Sequence, residues 1–209
     1  MNFYRTPFFV PWLYPTLTWR LPTAEKIIYL TFDDGPVPGA TEFVLETLNQ
    51  FNAKATFFCI GDNVRKHPNI FRKVVAGGHA IGNHTFNHLK GWSTPLAKYV
   101  ENVELFNEQL SLVNCQLPTL FRPPYGRITR AQIAALNQYK IIMWDVLSYD
   151  YSKLGNVENQ LKGTIKATRP GSIVVFHDSF KAEPKLQYIL PRYLEHYANA
   201  GYSFHAIPQ

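Results

Sequence analysis

The chain has little of what marks disulfide-rich, membrane-spanning or nucleic-acid-binding proteins. Its 209 residues include only Cys59 and Cys115, which form no disulfide framework or cysteine metal motif and are interpreted as free thiols. No apolar stretch reaches the roughly 20 residues of a membrane span. Prolines interrupt the aromatic N-terminal segment, so no export signal is apparent. We therefore expect no integral membrane segment, and the compartment stays open between cytoplasm and cell envelope.

The composition fits one globular domain with a basic surface. Hydrophobic residues make up 46% of the chain, which is enough for one core and short for two. The formal charge is +6. Surplus surface lysines are sufficient to explain this charge, and attraction to an acidic polymer such as cell-wall material is the alternative. Lysine and arginine do not form runs, so we expect no nucleic-acid partner.

Strand-like and helix-like segments alternate from residue 27 to the end of the chain. Thr129 and Gln132 form a capping-box pattern at one predicted helix start, and Pro191 is expected in the first turn of the last helix. About seven strand–helix pairs predict a parallel sheet covered by helices, either a barrel or a doubly wound sheet. We expect residues 1–25 to form an extended strap and 26–209 the main domain.

Two adjacent carboxylates, Asp33 and Asp34, directly follow the first predicted strand at 27–32. Asp, Gly and Pro are also ordinary turn residues, so a plain turn is the alternative. In a parallel barrel, however, functional residues collect where strands end. Neighbouring Asp side chains diverge, so that one is able to bind a metal while the other acts as a base.

His84 and His88 are spaced i and i+4, which would place both on one face of a helix, within reach of one ion. Together with Asp34 they form a set of two histidines and one carboxylate. This set leaves positions open for water and substrate, which is typical of a catalytic site. It predicts one divalent ion, with zinc as the first choice and cobalt, manganese, nickel or iron as the others.

Three further polar clusters also follow predicted strands. Arg122 begins a proline-stiffened loop, where its guanidinium can clamp a carboxylate through two hydrogen bonds. Trp144 and Asp150 lie in the segment after another strand, and His177 ends the apolar run at 173–176. All of these residues are expected to lie on one rim.

The five motifs, in this order, resemble the polysaccharide deacetylase family, also called the NodB-homology domain or carbohydrate esterase family 4. The resemblance covers residues 27–204, nearly everything except the strap. It implies that 26–209 is such a deacetylase domain. The fold it implies is a distorted (β/α)7 barrel, which agrees with the alternation of strands and helices.

The resemblance also implies a role for each residue of the first motifs. Asp34, His84 and His88 would be the metal ligands. Asp33 would be the catalytic base, and Arg122 the arginine that orients it. These assignments follow from the matching motif positions in this chain.

For the later motifs, the resemblance makes His177 the catalytic acid and Asp150 the carboxylate that pairs with it. The backbone N–H of Tyr125 would help to hold the oxyanion. Trp144 and Val175 would line the acetyl pocket, where Val175 replaces the usual leucine. The resemblance thus implies both a catalytic and a substrate-binding role for Tyr125.

The activity implied is metal-dependent removal of N-acetyl groups from N-acetylglucosamine-containing glycans, such as peptidoglycan or chitin-like oligosaccharides, with release of acetate. Leu147 and Tyr151 depart from the family pattern beside the pocket, which puts the shape of the substrate in doubt. Two alternatives stay open: an O-acetyl xylan esterase with the same metal site, and an inactive sugar-binding module.

Overall fold

The computed structural model describes residues 3–113 and 115–209. Its strands are β1 (Ile27–Asp33), β2 (Thr56–Cys59), β3 (Ala80–Asn83), β4 (Leu120–Phe121), β5 (Lys140–Ile141), β6 (Val146–Leu147), β7 (Ile173–His177) and β8 (Ser203–His205). Its helices are α1 (Val10–Leu13), α2 (Ala40–Gln50), α3 (Gly61–Lys66), α4 (Pro68–Ala76), α5 (Leu96–Leu112), α6 (Arg130–Ala135), α7 (Val157–Ala167) and α8 (Glu183–Asn199).

All the named strands pair in parallel, in the order β5-β4-β3-β2-β1-β7-β6, and β8 pairs with the beginning of β1. The run 140–147 contains both edge strands: its start pairs with β4 and its end with β7. The sheet therefore returns on itself through one bent segment. This confirms the distorted barrel and excludes the doubly wound sheet.

The central strands are apolar and buried because helices cover the outside of a parallel barrel. Phe32 stacks against Phe57 and Phe176, with ring centroids 5.1 and 5.9 Å apart. Each fully buried Phe stabilises the fold by about 1.5–3 kcal/mol. Both cysteines are free thiols; Cys59 is buried and Cys115 is half-buried. Among the described residues, no helix is long and apolar enough to cross a membrane.

Two helix boundaries test the expectations from the sequence. The capping box before α6 is confirmed, since Gln132 N–H donates to Thr129 Oγ1 at 3.2 Å and Thr129 N–H donates to Gln132 Oε1 at 3.0 Å. The expected start at Pro191 is wrong, because α8 begins at Glu183 and runs through the proline. The buried face of α8 continues on both sides of Pro191, and this packing outweighs the lost hydrogen bond.

The strap covers the bent run 140–147, which has no helix between its two strands. Arg5 forms an antiparallel bridge with Val146, and Arg20 forms one with Ser172 at the start of β7. Thr18 N–H donates to the carbonyl of Ile141 at 2.9 Å. The strap thus occupies the place of a missing covering helix. Its boundary at residue 25 stays a prediction.

Candidate active site

The predicted site residues meet at the carboxyl ends of the strands. Asp33 at the end of β1 lies in register with His177 at the end of β7, which explains why two distant motifs share one rim. A cleft of about 490 Å³ opens there. Every predicted site residue lines it except Arg122 and Asp150, which lie behind the cleft and hold residues that do line it.

Asp34, His84 and His88 converge on one point of the cleft. Asp34 Oδ1 lies 3.2 Å from His88 Nε2 and 3.8 Å from His84 Nε2, and the three ligand atoms all lie within 4.8 Å of one another. Ligand atoms roughly 2 Å from a shared ion in tetrahedral geometry are roughly 3.4 Å apart. The spacing and the donor types therefore fit one divalent ion.

The two histidines reach this point from a loop and not from a helix, so the expected helical face is wrong. His84 directly follows β3, and the segment has left-handed backbone conformations at Thr85 (φ 62°) and His88 (φ 57°). The Asn102 side chain on α5 accepts hydrogen bonds from the N–H groups of Phe86 and Asn87 at 3.0 and 2.9 Å. A distant helix thus fixes the loop.

The protonation states of these ligands suit metal binding. His84 Nδ1–H donates to the carbonyl of Arg122 at 2.7 Å, which leaves Nε2 free of its proton and directed at Asp34. Burial lowers the pKa of His84 to about 4, so the ring is neutral at pH 7. Burial raises the pKa of Asp34, but the hydrogen bond from His88 and the charge of His177 hold that pKa well below its usual value.

Asp33 is held by a fully buried arginine. Arg122 Nη1 donates to Asp33 Oδ1 at 2.6 Å and to Thr31 Oγ1 at 2.8 Å. Its remaining nitrogens donate to the carbonyls of Ile142 and Met143 at 3.2 and 2.9 Å. The guanidinium is therefore fixed on several sides, and only one carboxylate oxygen of Asp33 is committed to it.

His177 is held by Asp150 in a comparable way. Its Nδ1 lies 2.8 Å from Asp150 Oδ1, and its backbone N–H donates to Asp150 Oδ2 at 2.7 Å. Burial disfavours the charged ring, but the carboxylate of Asp150 outweighs burial and raises the pKa of His177 to about 9. The ring is therefore protonated at neutral pH, with Nε2 available to the cleft.

Tyr125, Trp144 and Val175 form one wall of the cleft. The loop turns at Tyr125 (φ 60°) and Gly126 (φ 63°), and a Cβ on Gly126 would lie 2.4 Å from the Trp144 ring. Only glycine permits this close approach of the loop to the tryptophan. Val175 is buried on β7 and contributes an apolar side chain to the cleft.

Comparison with known proteins identifies the family to which the chain belongs. The family described as polysaccharide deacetylase matches residues 20–144. A peptidoglycan-N-acetylglucosamine deacetylase of Bacillus cereus is 36% identical over 192 residues, which cover 90% of this chain and 89% of the relative. The chain belongs to the polysaccharide deacetylase family. It is accordingly a hydrolase that removes acetyl groups.

Two further matches support this polysaccharide deacetylase assignment. A chitooligosaccharide deacetylase of Bradyrhizobium is 34% identical over 167 residues, which cover 76% of this chain and 73% of the relative. A crystal structure of a peptidoglycan N-acetylglucosamine deacetylase, in complex with a naphthyl N-hydroxybenzamide, superposes with a TM-score of 0.88 at 28% identity. The match covers 97% of this chain and 95% of that one. The barrel fold is therefore confirmed independently.

The structure also shows residues that line or support the cleft and that the sequence patterns did not indicate. Thr31 accepts from Arg122 two positions before Asp33, on the same face of β1, so strand periodicity was an available signal. Arg127 and Lys181 line the cleft, and no local pattern marks them. Asp178 accepts hydrogen bonds from Gly35 N–H and Thr41 Oγ1 at 3.0 and 2.7 Å and ties β7 to the acidic turn.

Proposed function

We propose that this deacetylase is a metal-dependent hydrolase that removes N-acetyl groups from N-acetylglucosamine-containing glycans and releases acetate. The observation that carries the proposal is the convergence of Asp34, His84 and His88 in one cleft with Asp33 and His177. The relatives that share the family are named for N-acetylglucosamine and chitooligosaccharide deacetylation, which favours an amide over an ester substrate.

The ligand set Asp34, His84 and His88 would hold the ion, with zinc as the first choice because two imidazoles and a carboxylate suit it. A divalent ion held there would supply Lewis-acid chemistry, which polarises a carbonyl and lowers the pKa of a water molecule. Asp33 takes the proton from that water through the oxygen that Arg122 leaves free.

The rest of the reaction depends on Tyr125 and His177. The Tyr125 backbone N–H donates to the developing oxyanion, a type of contact that lowers the barrier by about 2.7–4 kcal/mol. An amine is a poor leaving group unless it is protonated, and His177 is the protonated group at the rim. Its Nε2–H gives the proton to the sugar nitrogen as the C–N bond breaks. Trp144 and Val175 surround the acetyl methyl group.

The test is acetate release from a panel of substrates, with and without a chelator. We expect turnover of N-acetylchitooligosaccharides and peptidoglycan fragments, no turnover in chelator, and recovery on addition of zinc. Release from acetylated xylan alone would establish the O-acetyl esterase instead. Sugar binding without turnover in the presence of zinc or cobalt would establish an inactive module. Full turnover after complete metal removal would contradict the mechanism.

The charge of the cleft rim favours peptidoglycan over neutral chitin as the natural substrate. The Arg127 guanidinium lies 5.0 Å from the ring centroid of Trp92, and Lys181 Nζ lies 5.3 Å from that of Tyr151. Within residues 3–113 and 115–209, neither cation forms an ion pair. Two uncompensated cations beside the cleft attract a carboxylate-bearing glycan, and peptidoglycan carries such carboxylates.

A double substitution separates the two glycans. We expect Arg127→Gln with Lys181→Gln to lower kcat/KM on peptidoglycan fragments about fivefold or more at low salt, because the steering attraction is lost. We expect kcat/KM on neutral chitooligosaccharides to change less than about twofold. Lys98→Gln, an exposed cation on α5, is the matched control. An equal loss on both substrates would show that the rim charges do not select the glycan.

A further inference from the structure

The strap carries a cluster of large apolar side chains that are at least half exposed to solvent. Phe8 and Trp12 are each 79% exposed, and Phe9 and Leu13 are at least half exposed. We call residues 8–13 the aromatic knuckle. Exposed apolar groups scattered singly are normal, but four on one short segment form a patch of the kind that marks an interaction surface.

The knuckle side chains contact one another and do not fold back onto the core. The Phe8 ring packs edge-on against Phe9 and Trp12, with centroids 5.8 and 6.2 Å apart. Val10 N–H donates to the carbonyl of Pro7 at 3.0 Å, and prolines 7 and 11 stiffen the segment. Tyr14 and Leu17 nearby do pack into the core. The knuckle side chains are therefore presented outward on a backbone that the two prolines restrict.

Cationic side chains lie close together where the two ends of the strap contact residues 167–170. Arg5 Nε donates to the carbonyl of Ala167 at 2.8 Å, and Arg20 Nε donates to the carbonyl of Pro170 at 3.1 Å. The two guanidinium groups thus bracket Arg169, and the exposed Lys166 precedes them on α7. We call Arg5, Arg20, Lys166 and Arg169 the cationic collar.

The collar keeps a net positive charge. Asp145 pairs with Arg169 at 3.1 Å, and it is the one carboxylate that lowers the collar's charge through an ion pair in the described part of the chain. Residues 3–24 contain no Asp or Glu. Burial lowers the pKa of Arg20, and the neighbouring charges of Arg169 and Arg5 lower it further, which is the expected result of crowded cations.

The collar lies on the side of the barrel away from the cleft. Arg20 bridges to Ser172 at the beginning of β7, whereas His177 stands at the end of that strand. A partner bound at the collar would therefore not cover the carboxyl ends of the strands, where the cleft opens.

We propose that the aromatic knuckle and the cationic collar together dock this enzyme on the surface of an anionic lipid bilayer. Aromatic side chains, tryptophan above all, are favoured at the boundary between headgroups and acyl chains. Cations beside them are attracted by anionic headgroups, and neither contribution alone gives stable binding. A second copy of the chain fits less well, because two like-charged collars would face each other.

The test is co-sedimentation of the purified chain with vesicles. We expect binding to phosphatidylglycerol–phosphatidylcholine vesicles at low salt, and about tenfold weaker binding to pure phosphatidylcholine or at high salt.

Phe8→Ser with Trp12→Ser should weaken binding about tenfold or more, since it removes two aromatic anchors. The matched control is Leu112→Ser with Leu154→Ser, two leucines as exposed as the anchors but outside the strap. Both double variants should keep the wild-type melting temperature and acetate release.

A second readout follows Trp12 itself. Brominated lipids should quench part of the tryptophan fluorescence on binding, and Trp12→Phe should bind vesicles normally yet lose that quenching. Vesicle binding that is absent, insensitive to lipid charge, or unchanged in the serine variant would overturn the proposal. So would a dimer that the serine variant dissociates, or retention on insoluble peptidoglycan that depends on Trp12 without any vesicle binding.

Discussion

Each of the two residues proposed for acid–base catalysis has one buried partner of opposite charge. Asp33 is paired with Arg122, and His177 is paired with Asp150, at 2.6 and 2.8 Å. Burying such charges costs several kcal/mol unless they are paired and hydrogen-bonded. Arg122 and Asp150 both make further hydrogen bonds to the backbone, so the cost is offset and the paired groups are held in one orientation.

The Asp150–His177 pair predicts the alkaline limit of activity. Because the folded-state pKa of His177 is raised to about 9, the acid is protonated below that pH and activity falls as pH rises through it. Asp150→Asn removes the charge that raises the pKa, so the alkaline limb of kcat/KM should move to lower pH by on the order of one unit or more. The Asp150–His177 ion pair also stabilises the folded protein. Its contribution to the free energy of unfolding is complete below about pH 6.5 and is lost as the pH rises through about 9.

The measurement is the pH profile of kcat/KM on a chitooligosaccharide. Asp62→Asn serves as a control, since Asp62 is a surface carboxylate paired with Arg65 and Lys66 away from the cleft. An unchanged alkaline limb in Asp150→Asn, with reduced activity at every pH, would show that Asp150 only positions the ring.

At the scale of elements, helix α8 shows how tertiary packing overrides a local rule. Pro191 lies inside the helix and cannot donate to the carbonyl one turn earlier, which costs about 3 kcal/mol relative to alanine. We expect Pro191→Ala to increase the free energy of unfolding by up to about 3 kcal/mol and to leave acetate release unchanged. Urea unfolding checks this, and a destabilised variant would contradict it.

The loop from His84 to His88 shows what sequence patterns reveal and what they miss. The spacing of the histidines correctly predicted that they converge, but it assigned the wrong backbone. The loop conformation depends on the Asn102 side chain, on a helix that begins after the loop ends. No local pattern encodes a hydrogen bond between two separate elements.

At the scale of the whole molecule, the alternation of strands and helices predicted a parallel sheet covered by helices, and the resemblance to the polysaccharide deacetylase family favoured the barrel over the doubly wound sheet. The motifs after the strands predicted one rim, and Asp33 and His177 do lie in register there. The path of the strap was not predictable in this way. Arg5 meets Val146 and Arg20 meets Ser172, and these pairings join residues more than about a hundred positions apart, beyond the reach of any local periodicity.

The most direct test of the proposed site measures bound metal and acetate release on the same sample, for the wild-type chain, Asp33→Asn and His88→Ala. We expect the wild type to hold about one ion per chain and to be active. Asp33→Asn should keep the ion and lose activity by about 10²–10⁴-fold, because it removes only the base. His88→Ala should lose both ion and activity, since Asp34 and His84 alone leave the set incomplete. An Asp33→Asn protein without metal, or a His88→Ala protein that is metal-free and active, would contradict the account.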